Sequence, residues 1–325
     1  MEMKSFSLSR SCLWTLLLLL NHLVAGDLLE EPSQKWVYTL EGAALKKGNA
    51  VVANKDGNRL FVTADDGSLH ILHTDDSPLT SQVFVPESLS GRSTECRSGV
   101  AFVEEEDEEG NESSYLVYAV VDTPSSGNST QVSSRVIAVN LDGGLRWSLS
   151  VDGIVAGTPV PGEMAAIIYI SRNVDNKGYL SVILVSSSIP ELTASFESED
   201  DAPLSPPGVG EGIDGDVVVV AESWDDGFSE DGGIYFLTAS KDFEKDGGRG
   251  IDSYEFKLVN DWPFSAVAPP LVQESSFWVG GTGAHLSGWA ANDVEKVLEG
   301  KKDEAKTKWT FESTPSDEDS LQRKS

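Results

Sequence analysis

The 325-residue sequence predicts an all-β fold built from one four-strand unit repeated along the chain. Three observations predict it. Short runs rich in Val, Ile, Tyr, Phe and Thr recur between turn residues, as at 59–64 (RLFVTA), 115–120 (YLVYAV), 167–170 (IIYI), 217–220 (VVVV) and 277–279 (FWV). The connections carry residues that tolerate positive φ, such as Asp56-Gly57-Asn58, Asp66-Gly67, Asp142-Gly143-Gly144, Asp226-Gly227 and Asp231-Gly232-Gly233. An aromatic strand also returns at roughly fifty- to sixty-residue intervals, at Trp36, Phe84, Trp147, Phe196, Phe256 and Trp309.

The first unit runs from Trp36 through 50–52 (AVV) and 60–62 (LFV) to 66–72 (DGSLHIL). A looser second starts near Phe84 and passes 99–103 (GVAFV), 115–121 and 135–139 (RVIAV). The third is the fullest: Arg146-Trp147-Ser148-Leu149, then Gly157-Thr158-Pro159-Val160, then 167–170, then 177–183 (KGYLSVI). A fourth starts near Phe196 and passes Ser205-Pro206-Pro207-Gly208, 217–220 and 233–237 (GIYFL). The fifth starts at 254–258 (YEFKL) and passes 268–272 (APPLV), 277–280 and 283–289 (GAHLSGW), after which Trp309 reads as opening another unit.

A period of this length made only of strands predicts a β-propeller, with one four-stranded sheet per blade. Sandwich strands need not repeat in order, and β-helix coils are much shorter. About five blades are visible over residues 33–312. Three readings of the ring stay open at this stage. It is incomplete, or the strand at Trp36 joins the last blade and closes five blades, or a partner covers the free edges, which otherwise invite pairing through unsatisfied backbone groups.

The order Trp-x5-Gly, Pro-Val, Tyr-Ile or Trp-Val, then Gly-x-Leu resembles the pyrroloquinoline-quinone-like repeat of the quinoprotein alcohol dehydrogenase-like propellers. The resemblance spans roughly Trp36 to Phe311 and is strongest over 147–183 and 254–289. It implies a scaffold shared by cofactor-binding dehydrogenases, bacterial outer-membrane assembly factors and luminal stress-sensing domains, usually with seven or eight blades. The dehydrogenase branch implies a vicinal disulfide, a stacked Trp, a calcium ion and an Asp base.

Composition narrows the function. The chain carries 24 basic against 53 acidic side chains, a formal charge of −29 and a pI near 4.3. Such a surface repels a phosphate backbone and anionic lipid, so nucleic acid and direct membrane docking are not expected partners. Residues 1–26 read as a signal peptide: Lys4 and Arg10 precede the apolar run 13–20 (LWTLLLLL), and Val24-Ala25-Gly26 supplies small residues before Asp27. As an uncleaved anchor the stretch is short, and Asn21 and His22 interrupt it. Glycosylation sequons begin at Asn111 and Asn128. These features predict the secretory pathway, either the extracellular space or the lumen of the endoplasmic reticulum.

Cys12 belongs to the leader, so Cys96 is the one mature cysteine and neither an intrachain disulfide nor the quinone-holding pair can form. No catalytic residue is assigned, and pyrroloquinoline quinone is not expected. The tryptophans Trp224, Trp262, Trp278 and Trp289 read as blade packing. His70 and His73 lie three apart on one strand, hence on opposite faces, and with His285 read as structural rather than zinc-binding. Calcium has two candidate loops, Asn54-x-Asp56-x-Asn58 and the one holding Asp225, Asp226, Glu230 and Asp231, both of which read better as turns. The nucleophile-elbow, zincin, phosphate-loop and dinucleotide motifs are absent. The acidic runs 104–109 and 197–201 read as solvated loops. Residues 292–306 show the one helical pattern, and 313–325 read as a disordered tail.

The expected function is that of a non-catalytic scaffold in the secretory pathway that binds a protein or other ligand. The alternatives are the luminal N-terminal part of a larger membrane protein, acting as sensor or assembly factor, and a quinoprotein-type dehydrogenase.

Overall fold

The computed structural model describes residues 38–40, 43–45, 51–75, 80–106, 112–125, 131–162, 167–186, 189–198, 202–211, 216–222, 233–242, 253–263, 270–273, 276–281, 285–290 and 309–312. The leader, Trp36, the acceptor residues Asn111 and Asn128, the loop at 225–231, the 292–306 segment and the tail lie outside them. All the sheets belong to one unit, Leu40–Ser325.

The strands form five antiparallel sheets, each a contiguous piece of chain. The first holds β1 (Val51–Ala53), β2 (Arg59–Thr63), β3 (Leu69–His73) and β4 (Thr80–Phe84). The second holds β5 (Arg92–Cys96), β6 (Ala101–Glu106), β7 (Glu112–Pro124), β8 (Ser133–Asn140) and β9 (Leu145–Asp152), with β5 and β6 both paired to β7. The third holds β10 (Ile154–Val155), β11 (Val160–Pro161), β12 (Ile167–Val174), β13 (Lys177–Ser186) and β14 (Ile189–Glu197), with β10 and β11 both paired to β12. The fourth is β15 (Gly208–Glu211), β16 (Asp216–Ala221), β17 (Gly233–Asp242) and β18 (Ser253–Pro263), and the fifth β19 (Leu271–Gln273), β20 (Ser276–Gly281), β21 (His285–Ala290) and β22 (Trp309–Glu312). Among the described residues this is a propeller-type array of five blades, each a four-strand meander, with the first strand split in two in the second and third.

The hydrogen bonds correct the phase of the repeat. Phe84, Trp147, Phe196, Phe256 and Trp309 lie in β4, β9, β14, β18 and β22, so each aromatic strand is the last of its sheet. Trp309 therefore completes the fifth sheet, pairing with Gly288, and does not open a sixth unit. A periodic sequence has no intrinsic starting point. Only pairing decides whether a strand belongs to the sheet before it or after it.

Blade packing explains the uninterrupted apolar runs. Side chains alternate faces along a strand, and β7 is buried on both. Leu116, Tyr118 and Val120 join Phe61, Leu69 and Ile71 of the first sheet. Tyr115, Val117 and Ala119 join Ile168, Ile170 and Ile183 of the third. Tyr169, Leu180 and Val182, from the opposite face of the third sheet, pack against Val218, Val220, Tyr235 and Leu237 of the fourth. Phe236 then meets Phe277 of the fifth edge-to-face, with ring centroids 6.1 Å apart. Each such fully buried side chain contributes about 1.5–3 kcal/mol, so the blades are held mainly by inter-sheet burial.

The first strand of the second and third blades is broken. Between Cys96 and Ala101 four residues face two on β7, and between Val155 and Val160 four face two on β12. The fourth blade follows suit, with an isolated bridge between Leu204 and Glu222 before β15 begins. The Pro-Val motif of the repeat is thus the second half of a kinked inner strand. The kinks link one blade to the next. Thr63 Oγ1 donates to the Ser98 carbonyl at 2.7 Å, and the Gly99 amide donates to Thr158 Oγ1 at 2.9 Å. Gly157, at φ 73°, packs so closely that a β-carbon there would lie 2.2 Å from Pro206 Cγ.

Candidate functional site

In an antiparallel meander the turn after the second strand and the link after the fourth emerge at the same end of the sheet. That end gathers most of the buried polar chemistry of the described residues.

In the first blade it places Asp66, Ser68 and His70 together. Ser68 Oγ lies 2.6 Å from Asp66 Oδ1 and 3.0 Å from His70 Nε2. The spacing resembles a nucleophile and its base, but the protons run the other way. A serine hydroxyl has one proton, and the carboxylate can only accept. Ser68 therefore donates to Asp66 and accepts from the His70 Nε2–H, so His70 has no lone pair aimed at Ser68. Burial holds the His70 pKa below its ordinary 6.5, against the opposing pull of Asp66. His70 is buried, and His73, three residues on at the end of β3, is half-buried.

Cys96 is fully buried in the core between the first two blades. Its thiol donates towards the carbonyls of Ser98 and Ala119, at 3.3 and 3.4 Å, and burial raises its pKa. The Asn54–Asn58 segment is the hairpin turn between β1 and β2. Asn54 Oδ1 accepts from the Arg59 amide at 2.9 Å, and Asn58 Oδ1 accepts from Asn54 Nδ2 at 2.8 Å. Two oxygens suggested as calcium ligands are thus engaged in the turn itself. Among the described residues no group of three or more His, Cys, Asp or Glu side chains could hold a metal ion.

At this end a cleft of about 600 Å³ lies where the second, third and fourth blades meet. Its size is that of an ordinary ligand site. Three chain segments converge to form it. The link from β9 to β10 brings Asp152 and Gly153, the β12–β13 turn brings Asn173 to Asn176, and the run before β15 brings Pro203 to Pro206.

Sequence explains why they meet so closely. Gly153 sits at φ 79°, where a β-carbon would lie 2.3 Å from the Asn173 carbonyl, so only glycine lets the link seat against the turn. Asp175 and Asn176 have φ of 49° and 70°, the paired left-handed values of a tight two-residue hairpin, which Asp and Asn tolerate.

Hydrogen bonds fix the walls. Ser134 Oγ donates to the Gly153 carbonyl at 2.9 Å and accepts from the Val155 amide at 3.0 Å. Asn173 Oδ1 accepts from the Leu204 amide at 3.0 Å. Ser205 Oγ accepts from the Ala221 amide at 3.1 Å. Pro203 and Pro206 stiffen the third wall. The cleft is therefore preformed.

Its polar surface is one-signed. Asp152 and Asp175 are exposed, and none of the described lining residues is Lys, Arg or His. Sequence reasoning named none of these residues as a site. Asp152, Asp175 and Pro206 are scattered over three sheets, and no local motif joins them.

No family model matches the sequence, and no curated protein matches it. Among solved structures it is similar to a variant of the apocarotenoid oxygenase of Synechocystis (TM-score 0.41, 11% identity, over 85% of this chain and 66% of that one). It is also similar to the β-propeller domain of Cps50 (Swd1) from Myceliophteria thermophila (TM-score 0.36, 9% identity, over 85% and 90%). A third is BamB from Moraxella catarrhalis (TM-score 0.38, 11% identity, over 87% and 81%). The chain spans 66% of the length of the oxygenase. The propeller architecture rests on the order and pairing of the five sheets themselves.

Proposed function

We propose that the protein is a non-catalytic propeller of the secretory pathway that binds a protein partner at the cleft between its second, third and fourth blades. The observation that carries this reading is the preformed cleft, with three walls fixed by side-chain hydrogen bonds and its carboxylates left to solvent. The leader at 1–26 and the sequons at Asn111 and Asn128 support the compartment. Asn128 lies three residues before Gln131 in the sequence, and Gln131 lines the cleft. The Ser68–His70 pair supports a binding role over hydrolysis, because its hydroxyl proton is committed to Asp66. Among the described residues no helix is long and apolar enough to cross a membrane.

Site-specific photocrosslinking tests the reading. A photoreactive residue at Gln131 of the full chain, expressed in a secretory cell, should give a discrete protein adduct from the lumen. One at Asn140, at the opposite end of β8, should not. Equal labelling from both positions, or none from Gln131, overturns the proposal. Glycosidase treatment of the secreted chain reports separately on Asn111 and Asn128 through Asn→Gln variants.

A further inference from the structure

We infer that the cleft takes an extended peptide segment carrying Lys or Arg beside apolar residues. The inference rests on the scaffold reading and adds the chemistry of the partner. The carboxylates of Asp152 and Asp175 approach the cleft from two different segments, the β9–β10 link and the β12–β13 turn. Neither has a hydrogen-bond or ion-pair partner among the described residues, and neither faces a lining cation. Buried acids elsewhere in the same blades have internal partners: Arg135 pairs with Asp122, and the Tyr169 and Tyr235 hydroxyls donate to Asp216 and Glu222. The cleft carboxylates are left for something else to meet.

Between them lies apolar surface. Val132, Ile154, Val174, Leu204 and Pro206 line the same cleft, so a wholly hydrophilic cation would leave that surface unmatched. A side chain with a long aliphatic stem and a charged head matches both parts, covering apolar wall and carboxylate together. The exposed amide groups of Gln131 and Asn176 can pair with peptide backbone, which offers both donors and acceptors. The charge of the whole chain, −29, acts in the same direction by drawing cationic partners and repelling acidic ones. A second copy of this chain is disfavoured for the same reason.

The test is fluorescence anisotropy of the full secreted chain with three labelled heptapeptides of equal length and apolar content. One carries two Arg, one carries citrulline at those positions, and one carries Glu. Citrulline keeps the shape of Arg without its charge. The expected result is saturable binding of the Arg peptide alone, weakening as salt is raised. Asp152→Asn with Asp175→Asn should lower affinity about tenfold, the scale of two partly screened charge pairs. Both substitutions are at exposed positions, and Asn suits the left-handed turn at 175, so an unchanged thermal midpoint verifies the fold.

Binding of the citrulline peptide as tight as that of the Arg peptide, an unaffected double variant, or no binding at all overturns the inference. If the peptides fail while Gln131 still crosslinks one luminal protein, the scaffold reading stands and only the partner chemistry falls. If both fail, both fall.

Discussion

Arg135 lays its guanidinium across the carboxylate of Asp122, with Nε 2.6 Å from Oδ2 and Nη2 2.9 Å from Oδ1. The aspartate side chain is fully buried and the arginine nearly so. Thr94 Oγ1 adds a third bond to Asp122 Oδ1 at 2.7 Å, and Arg135 Nη1 donates to the Glu87 carbonyl at 2.8 Å. The pair thereby ties the link between the first and second blades to β7 and β8. Removing one member strands a buried charge, which costs about 3–5 kcal/mol, whereas removing both costs much less. Asp122→Ala should lower the unfolding free energy measured by denaturant by that amount, and Asp122→Leu with Arg135→Met should regain most of it. Equal losses for the single and double variants would show that the charge pairing is not what matters.

The inner-strand kink gives a second prediction. Gly157→Ala would be strained by its left-handed φ of 73° and by overlap with Pro206. The combined cost is on the order of 2 kcal/mol or more. Adding Pro206→Ala removes the clash with Cγ and leaves a tight 3.0 Å approach to Cβ together with the backbone strain, about 1 kcal/mol. A double-mutant cycle by urea unfolding measures the difference as a coupling between the third and fourth blades.

His70 predicts a pH dependence. Its folded pKa is lowered, so between that value and 6.5 the unfolded chain binds more protons than the folded one. Stability contributed by neutral His70 is fully present above about 6.5 and is lost as pH falls through that window. Unfolding midpoints from pH 5 to 8 should slope upward, and His70→Gln should flatten the slope. An unchanged slope would mean that His70 is not buried neutral.

The thiol of Cys96 is predicted to be silent. In a Cys12→Ser variant it is the sole thiol, and its burial and raised pKa leave little thiolate to react. A colorimetric thiol reagent should give no signal until denaturant is added, and then one equivalent per chain. A full signal in the folded protein would refute the packing described between the first two blades.

Much of this architecture is legible in the sequence. The unbroken run at 115–121 announces a strand buried on both faces, and Asp56-Gly57-Asn58 announces the hairpin between β1 and β2. The spacing of Phe84, Trp147 and Phe196 fixes the blade length. Their place in the blade is not legible, because periodicity carries no phase and only pairing supplies one. The candidate site is less legible still. Asp152 and Asp175 are separated by β10, β11 and β12, and Pro206 by two more strands, so only the closed fold brings them to one cleft. The pairing of Asp122 with Arg135 is likewise not legible, since two residues thirteen apart across an uncharged, serine-rich connection form no motif.

The central claim is that this preformed cleft is the binding surface of the protein. Amide hydrogen exchange of the full secreted chain, with and without saturating Arg peptide, tests it most directly. The predicted result is added protection confined to residues 131–132, 152–156, 173–176 and 204–205. Protection at the opposite end of the blades, around Asn140 and Gly162, or spread evenly over the sheets, would contradict it.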